Sequence, residues 1–207
     1  MNKKFLLVFV LTVCWITIEL TSCFAEQKLA FESERQALLN DGMHMGYRQN
    51  KQDFFQEGET LFEQQEFSKS IEKYTKAINE DNTFVEVYFK RGEAYFELKN
   101  YEAANEDYTM VLKNTSTYRK ANFKRAICYY YQANYQKAID DTEIVLCSQP
   151  DHAGSYLVQA VCLQKLGLKE KAIETYKTLL KNVPNSEKDV INIANKMLQK
   201  LENESIK

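Results

Sequence analysis

The sequence predicts an all-α chain built as a stack of helix pairs, and two observations predict it. A small residue recurs at one interval, since Gly58, Gly92, Ala126 and Ala160 stand 34 residues apart. Between these marks, apolar residues fall three and four apart, the spacing of one helix face, and a short polar or glycine-bearing turn breaks the run each time. The stretch from Val85 to Tyr118 shows the pattern in full. Tyr88, Arg91, Gly92 and Tyr95 lie on a first helix, Lys99-Asn100 interrupts, and Ala104, Tyr108 and Val111 lie on a second. Self-similarity at a fixed period of this length marks a repeat architecture.

Other places keep the same step: Phe54, Tyr88 and Tyr156; Leu61, Tyr95, Tyr129 and Leu163; Ser70, Ala104, Ala138 and Ala172; Tyr74, Tyr108 and Tyr176; Pro150 and Pro184. An aromatic, a small residue, a second aromatic, Ala-x-x-x-Tyr and a closing Pro at this period resemble the tetratricopeptide repeat. The resemblance covers residues 51 to 186. It implies a right-handed superhelical solenoid of four tetratricopeptide repeats, at 51–84, 85–118, 119–152 and 153–186. Asn122 and Thr142 depart from the aromatic places of the third unit, and Asn82 and Ser116 stand where Pro is usual. Small side chains suit the contacts where helix axes approach to about 8–10 Å. One pair cannot bury its apolar face alone, so neighbours must stack.

Within each unit the first helix is expected over about the second to fourteenth residues and the second over about the eighteenth to thirtieth. Turns are expected at Asn100-Tyr101, Asn134-Tyr135 and Gly167-Leu168. After Ser186, Val190, Ile193, Ala194 and Met197 stay in phase, yet the chain ends before a further second helix. Residues 187–207 are therefore a capping helix and tail, which gives nine or more helices and no sheet.

The front end differs from the rest. Lys3 and Lys4 precede an apolar run of 14 residues, Phe5 to Ile18, and small residues follow. This is the layout of a secretory signal peptide, placed at residues 1–22. The run is short of the roughly 20 residues that span a bilayer, and Glu19 interrupts it. Leu20-Thr21-Ser22-Cys23 resembles a bacterial lipobox, which implies lipidation of Cys23; the alternative is cleavage after Ala25. Residues 23–50 form a linker. It holds one amphipathic helix, with Leu29, Ala30, Ala37 and Leu38 as its stripe and Asn40-Asp41-Gly42 as its end. The expected location is outside the cytoplasm: the cell envelope, outer membrane or periplasm, if the source is bacterial, and otherwise secreted.

A formal net charge of −2 and 27% charged residues give no basic field for nucleic acid. Only His44 and His152 are present, with no Gly-rich phosphate loop and no Cys/His cluster at ligand spacing, so the chain reads as a non-enzyme without a cofactor or a small-molecule substrate. Met43-His44-Met45 is the nearest approach to a metal motif, and a metal-dependent enzyme is the remote third class. Adjacent methionines beside a loop more often pack, so no metal is assigned. Asp140-Asp141 reads as a solvated pair. Of Cys128, Cys147 and Cys162, Cys128 and Cys162 hold the same place in neighbouring units and read as buried free thiols, because helix axes about 8–10 Å apart hold Cα atoms beyond the roughly 7 Å that a disulfide allows. The sequons at Asn114 and Asn203 read as chance triplets.

The resemblance also implies a concave groove lined by the first helices. The residues expected to bind there are Phe89, Lys90, Phe96, Lys120, Phe123, Lys124, Ile127, Tyr130, Tyr131, Leu157, Val158, Val161 and Lys165. Phe55, Phe62, Phe89, Phe96, Phe123 and Tyr130 are common in the family and read first as half-buried packing. Glu59, Glu63, Glu93 and Glu97 make the N-terminal half acidic, while Ile127, Tyr131, Val158 and Val161 make the C-terminal half apolar. The expected function is an exported, membrane-anchored scaffold or adaptor. It would hold a protein or peptide with apolar and acidic contacts, with Tyr131 as the chief anchor. One alternative is a secreted protein acting on a host partner. Another is co-chaperone-like capture of acidic peptide tails: Lys120 and Lys124 match two basic places of the family's carboxylate clamp, but Phe55, Glu59 and Lys90 depart from the others.

Overall fold

Each helix pair closes on one residue in the left-handed backbone region, and these residues repeat in phase: Gln65 (φ 62°), Lys99 (φ 61°), Ala133 (φ 59°) and Gly167 (φ 75°). At every one, two backbone bonds tie the turn to the helix before it. The Lys99 and Asn100 amides donate to Phe96 and Tyr95, and the Gly167 and Leu168 amides to Gln164 and Leu163, all at 2.9–3.0 Å. This is the Schellman termination, which satisfies carbonyls the helix end leaves open. It needs a positive φ, free of strain only for glycine, and Gly167 alone supplies one.

In the computed structural model, residues 50 to 203 are described, and among them nine helices occur with no strand. They are α1 (50–63), α2 (Phe67–Glu80), α3 (Val85–Glu97), α4 (Tyr101–Asn114), α5 (Arg119–Tyr131), α6 (Tyr135–Ser148), α7 (Ala153–Lys165), α8 (Lys169–Asn182) and α9 (Lys188–Asn203). From α2 on, each helix packs on the next, and α5 also meets α7 and α7 meets α9. In units two and three the turn apex, at Lys99 and Ala133, lies just ahead of the pairs expected, because Tyr101 and Tyr135 already begin helices, while Gly167-Leu168 is the turn of unit four as expected. Asn100 caps α4 by accepting from the Ala103 amide at 3.2 Å, and His152 caps α7 by accepting from the Ser155 amide at 3.1 Å. None of the described helices is long and apolar enough to cross a membrane. The signal segment, Cys23, the linker helix and Met43-His44-Met45 lie outside the described residues.

The recurring small residues admit a ring rather than only a neighbouring backbone. A Cβ at Gly58 would stand 2.5 Å from the Tyr74 ring, and one at Gly92 2.9 Å from the Tyr108 ring. Tyr74, Tyr108 and Tyr176 are fully buried, with Ser70, Ala104, Ala138 and Ala172 buried beside them. In unit three Thr142 takes the place of the ring, opposite Ala126.

A polar clamp runs through the middle of the stack. The Arg91 guanidinium donates twice to Asp107 at 2.8 and 2.9 Å and once to Thr75 of the preceding unit at 3.0 Å. Arg125 repeats this on Asp141 at 2.8 Å and on Thr109 at 3.1 Å. Asp141 is therefore not the solvated carboxylate the sequence suggested, since it is buried and fully engaged. The departure at Asn122 has the same cause: its amide, also buried, donates to Asp141 at 3.2 Å where an aromatic could not.

Cys128 and Cys162 are buried free thiols as expected, and Cys147, on α6, is exposed. Burial pushes the Cys128 thiol up to about 12 and the Cys162 thiol up to about 11, so neither ionises readily. On α9, Ala194 is buried and Val190 and Met197 pack against the core, yet Ile193 is 47% exposed. It occupies the place of Arg91, and among the described residues no further helix covers it.

Candidate functional site

The first helices of units two and three enclose a groove of about 910 Å³, lined by Glu86, Phe89, Lys90 and Glu93 on one side and Arg119, Lys120, Phe123 and Lys124 on the other. Its aromatic members are already committed. Phe89 is buried against Tyr108 and Tyr118, with ring centres 5.6 and 5.1 Å away, and Phe123 meets His152 at 4.7 Å. Phe55 meets Phe84 in the same way at 5.2 Å. Each is plugged by the residue just ahead of the next unit, so these rings floor the groove rather than stand open in it.

The cations are largely committed as well. Lys90 pairs with Glu59 at 2.9 Å, and Lys124 pairs with Glu93 at 3.0 Å, each reaching back one unit. Burial works to lower the Lys90 pKa, but the hydrogen bond and charge of Glu59 win and carry it up. The other Glu59 oxygen accepts from the Tyr74 hydroxyl at 2.5 Å. Tyr74 titrates well above its ordinary range, first through burial and then through that bond. The Tyr108 and Tyr176 hydroxyls, at the same place in units two and four, have no partner among the described residues.

This ladder stops at unit three. The next Glu and Lys places are Ile127 and Val158, and after them comes Val161. All three are half-buried, as is Leu157. Lys120 and Lys165 are exposed and make no ion pair among the described residues, while Arg119 donates to the Ser116 carbonyl at 3.2 Å.

Tyr131 stands elsewhere. It is 54% exposed, but its ring lies flat on Tyr101 at 4.3 Å and edge-on to Tyr130 at 5.3 Å and Phe96 at 6.2 Å. Phe96, Tyr101, Tyr131, Tyr130 and Tyr135 thus form one continuous row of rings across the turns of units two and three. Sequence reasoning missed this row, although aromatics five apart at Phe62/Phe67, Phe96/Tyr101 and Tyr130/Tyr135 signalled it. It also missed the ladder, legible as opposite charges 31 residues apart at Glu59/Lys90 and Glu93/Lys124. Among the described residues no group of three His, Cys, Asp or Glu could hold a metal ion.

Comparison with known proteins agrees with this architecture. A TPR repeat family model matches residues 58–99, and a tetratricopeptide repeat model matches residues 86–114 and 155–186. No curated protein matches the sequence significantly. Among solved structures, a MamA protein is 22% identical with a TM-score of 0.62, over 64% of this chain and 73% of that one. MamA from Desulfovibrio magneticus is 16% identical with a TM-score of 0.63, over 74% and 94%. The first TPR of Spaghetti (RPAP3), solved bound to the HSP90 peptide SRMEEVD, is 24% identical with a TM-score of 0.55, over 57% and 94%. The residues that lie between the family matches, 115–154, include Asn122, whose amide joins the clamp, and Thr142, whose hydroxyl donates to the Ile139 carbonyl at 2.7 Å. With that stretch in phase and four helix pairs followed by α9, the described residues have the fold of a tetratricopeptide-repeat solenoid, an all-α fold suited to binding other proteins.

Proposed function

We propose that this chain is a scaffold that holds a partner polypeptide in its concave groove, gripping it chiefly over units three and four. One observation carries the reading: the Glu–Lys ladder that neutralises the groove in units one and two gives way to Ile127, Val158 and Val161. Surface already paired within the molecule gains little by pairing again, whereas half-buried apolar surface gains by losing water. The partner segment therefore presents apolar side chains to units three and four. Lys120, unpaired at the rim, receives an acidic residue ahead of them. The scaffold is exported and tethered through Cys23, as the three-part front end and Leu20-Thr21-Ser22-Cys23 suggest. It acts as an adaptor in a cell-envelope assembly.

A second reading is capture of acidic tails, which the RPAP3 neighbour displays with its own peptide. Lys120 and Lys124 favour it, but Glu93 already holds Lys124 and Glu59 holds Lys90. An incoming carboxylate would meet two glutamates.

The test is to continue the ladder. Ile127→Glu together with Val158→Lys copies an arrangement the fold already carries twice, so the solenoid should keep its helicity. A partner crosslinked to the parent protein in its own cell should bind at least about tenfold more weakly, as expected when the apolar centre of an interface is lost. Undiminished capture by the double variant would move the recognition surface off the groove. For the tether, Cys23→Ser should release the protein from the membrane fraction, and a mature chain beginning at Glu26 would refute lipidation.

A further inference from the structure

Four of the large apolar side chains that stay most exposed lie along the turns between first and second helices. Leu98 is 46% exposed, Tyr131 54%, Leu166 41% and Leu168 39%. The first helices run in one direction, so these turns share one edge of the stack, and the row from Phe96 to Tyr135 joins the turns of units two and three physically. Lys99, Lys165, Lys169 and Lys171 stand on the same edge without an ion pair among the described residues. Glu97, Glu102 and Glu170 stand there too, so the positive excess gathers at the turn of unit four, Lys165-Leu166-Gly167-Leu168-Lys169.

These tips project from separate turns, and none of them lines the groove of units two and three. Leucine tips backed by tyrosine rings and flanked by lysines match the boundary of an anionic bilayer. There, alkyl groups enter below the headgroups, aromatic rings sit at their level and ammonium groups meet the phosphates. We propose that this edge rests on an anionic lipid surface, with Leu98, Tyr131, Leu166 and Leu168 inserted and the lysines of unit four against lipid phosphate. The inference does not rest on the groove reading, because it uses the ends of the helices and leaves the groove facing water.

The test is a depth measurement on the full chain. Its one tryptophan, Trp15, is replaced by Phe, and a reporter is introduced as Leu98→Trp, Leu166→Trp or, as control, Ile144→Trp. Ile144 is 41% exposed on α6, away from the turns. On phosphatidylglycerol vesicles carrying brominated acyl chains, emission from positions 98 and 166 should be quenched at least about threefold more than from 144. Reversing Lys165, Lys169 and Lys171 to Glu should bring quenching at 166 down to the level of the control, and phosphatidylcholine should do the same. Comparing the positions removes the contribution of the apolar front end, which could bind vesicles without orienting the solenoid. Equal quenching at all three positions, or none at 98 and 166 on vesicles that carry the protein, overturns the proposal. So does failure to bind the vesicles at all. Circular dichroism of each variant verifies that the helices are intact.

Discussion

Arg91 and Arg125 each close a two-point pair across their own unit, whereas the same place in unit four is Gln159, and Thr175 stands where the aspartate would be. Gln159 instead reaches back to Glu143 at 3.5 Å, on a side open to water. Unit one reverses the polarity, pairing Glu57 with Lys73. The four units thus fold alike with an arginine clamp, a reversed pair or no pair. The clamp is then a device of register more than of net stability, since a buried pair repays little beyond its own desolvation. Unit four drops this clamp and the groove ladder together. Its inner surface is left apolar, and its place in the stack rests on packing.

The largest effect should come from breaking the clamp on one side. Asp141→Ala leaves Arg125 and Asn122 without their acceptor in a buried site and should cost about 3 kcal/mol in urea unfolding. Thr175→Ala at the equivalent place should change stability by less than about 0.5 kcal/mol. Equal losses at the two positions would erase the distinction between the units.

Next comes the small-residue contact. Gly92→Ala drives a methyl to 2.9 Å from the Tyr108 ring and should destabilise by about 1–3 kcal/mol. Unit four already carries Ala160 opposite Tyr176, so its spacing accommodates that methyl. A thermal melt of the Gly92 variant that matched the parent would show that unit two can relax to the spacing of unit four.

The turns offer a smaller and opposite pair. Ala133→Gly relieves a left-handed alanine and should raise stability by about 0.5–1 kcal/mol, while Gly167→Ala should lower it by at least as much. Both are read from denaturant midpoints.

The smallest effect lies at the far end of the stack. The hydrogen bond from Lys51, then those from Thr83, hold the Asp81 carboxyl down at about 2. Its unfolded value is near 3.9, so the stabilisation is fully present above about pH 4 and is lost as pH falls from there through about 2. The pair is a quarter exposed, and screening keeps its worth below about 1 kcal/mol. Lys51→Ala should raise the Asp81 titration midpoint observed by NMR and flatten that acid limb.

Much of this was legible in the sequence because packing periodicity is a local signal. Gly58, Gly92, Ala126 and Ala160 announce where helices meet, and Asn122 and Thr142 announce that something unusual happens in unit three. What the sequence hid was partnership between helices, within a unit as well as across units. Asp140 and Asp141 look alike in the chain, and only the sixteen-residue step back to Arg125 makes one buried and the other solvent-facing. Phe89 and Tyr131 both read as groove aromatics. Phe89 is sealed by Tyr118, from the junction to the next unit, and Tyr131 turns onto Tyr101 of the unit before. Contacts sixteen or about thirty residues apart belong to neither helix pattern, so they emerged only when the helices were packed together.

The in-phase turns at Gln65, Lys99, Ala133 and Gly167 have a consequence for how such a chain can change length. One residue added within a helix would rotate the side chains beyond it by about 100° around that helix and take its later contacts out of register. A whole unit can leave without disturbing any turn. Excising residues 119–152 would join Tyr118 to Ala153, keep the plug on Phe89 and preserve the two termination bonds in every remaining turn. It would also set Glu93 opposite Val158, so the shortened chain would fold with a carboxylate stranded at the border between its charged and apolar halves. Length here comes in whole modules, and the order of the modules decides where that border falls.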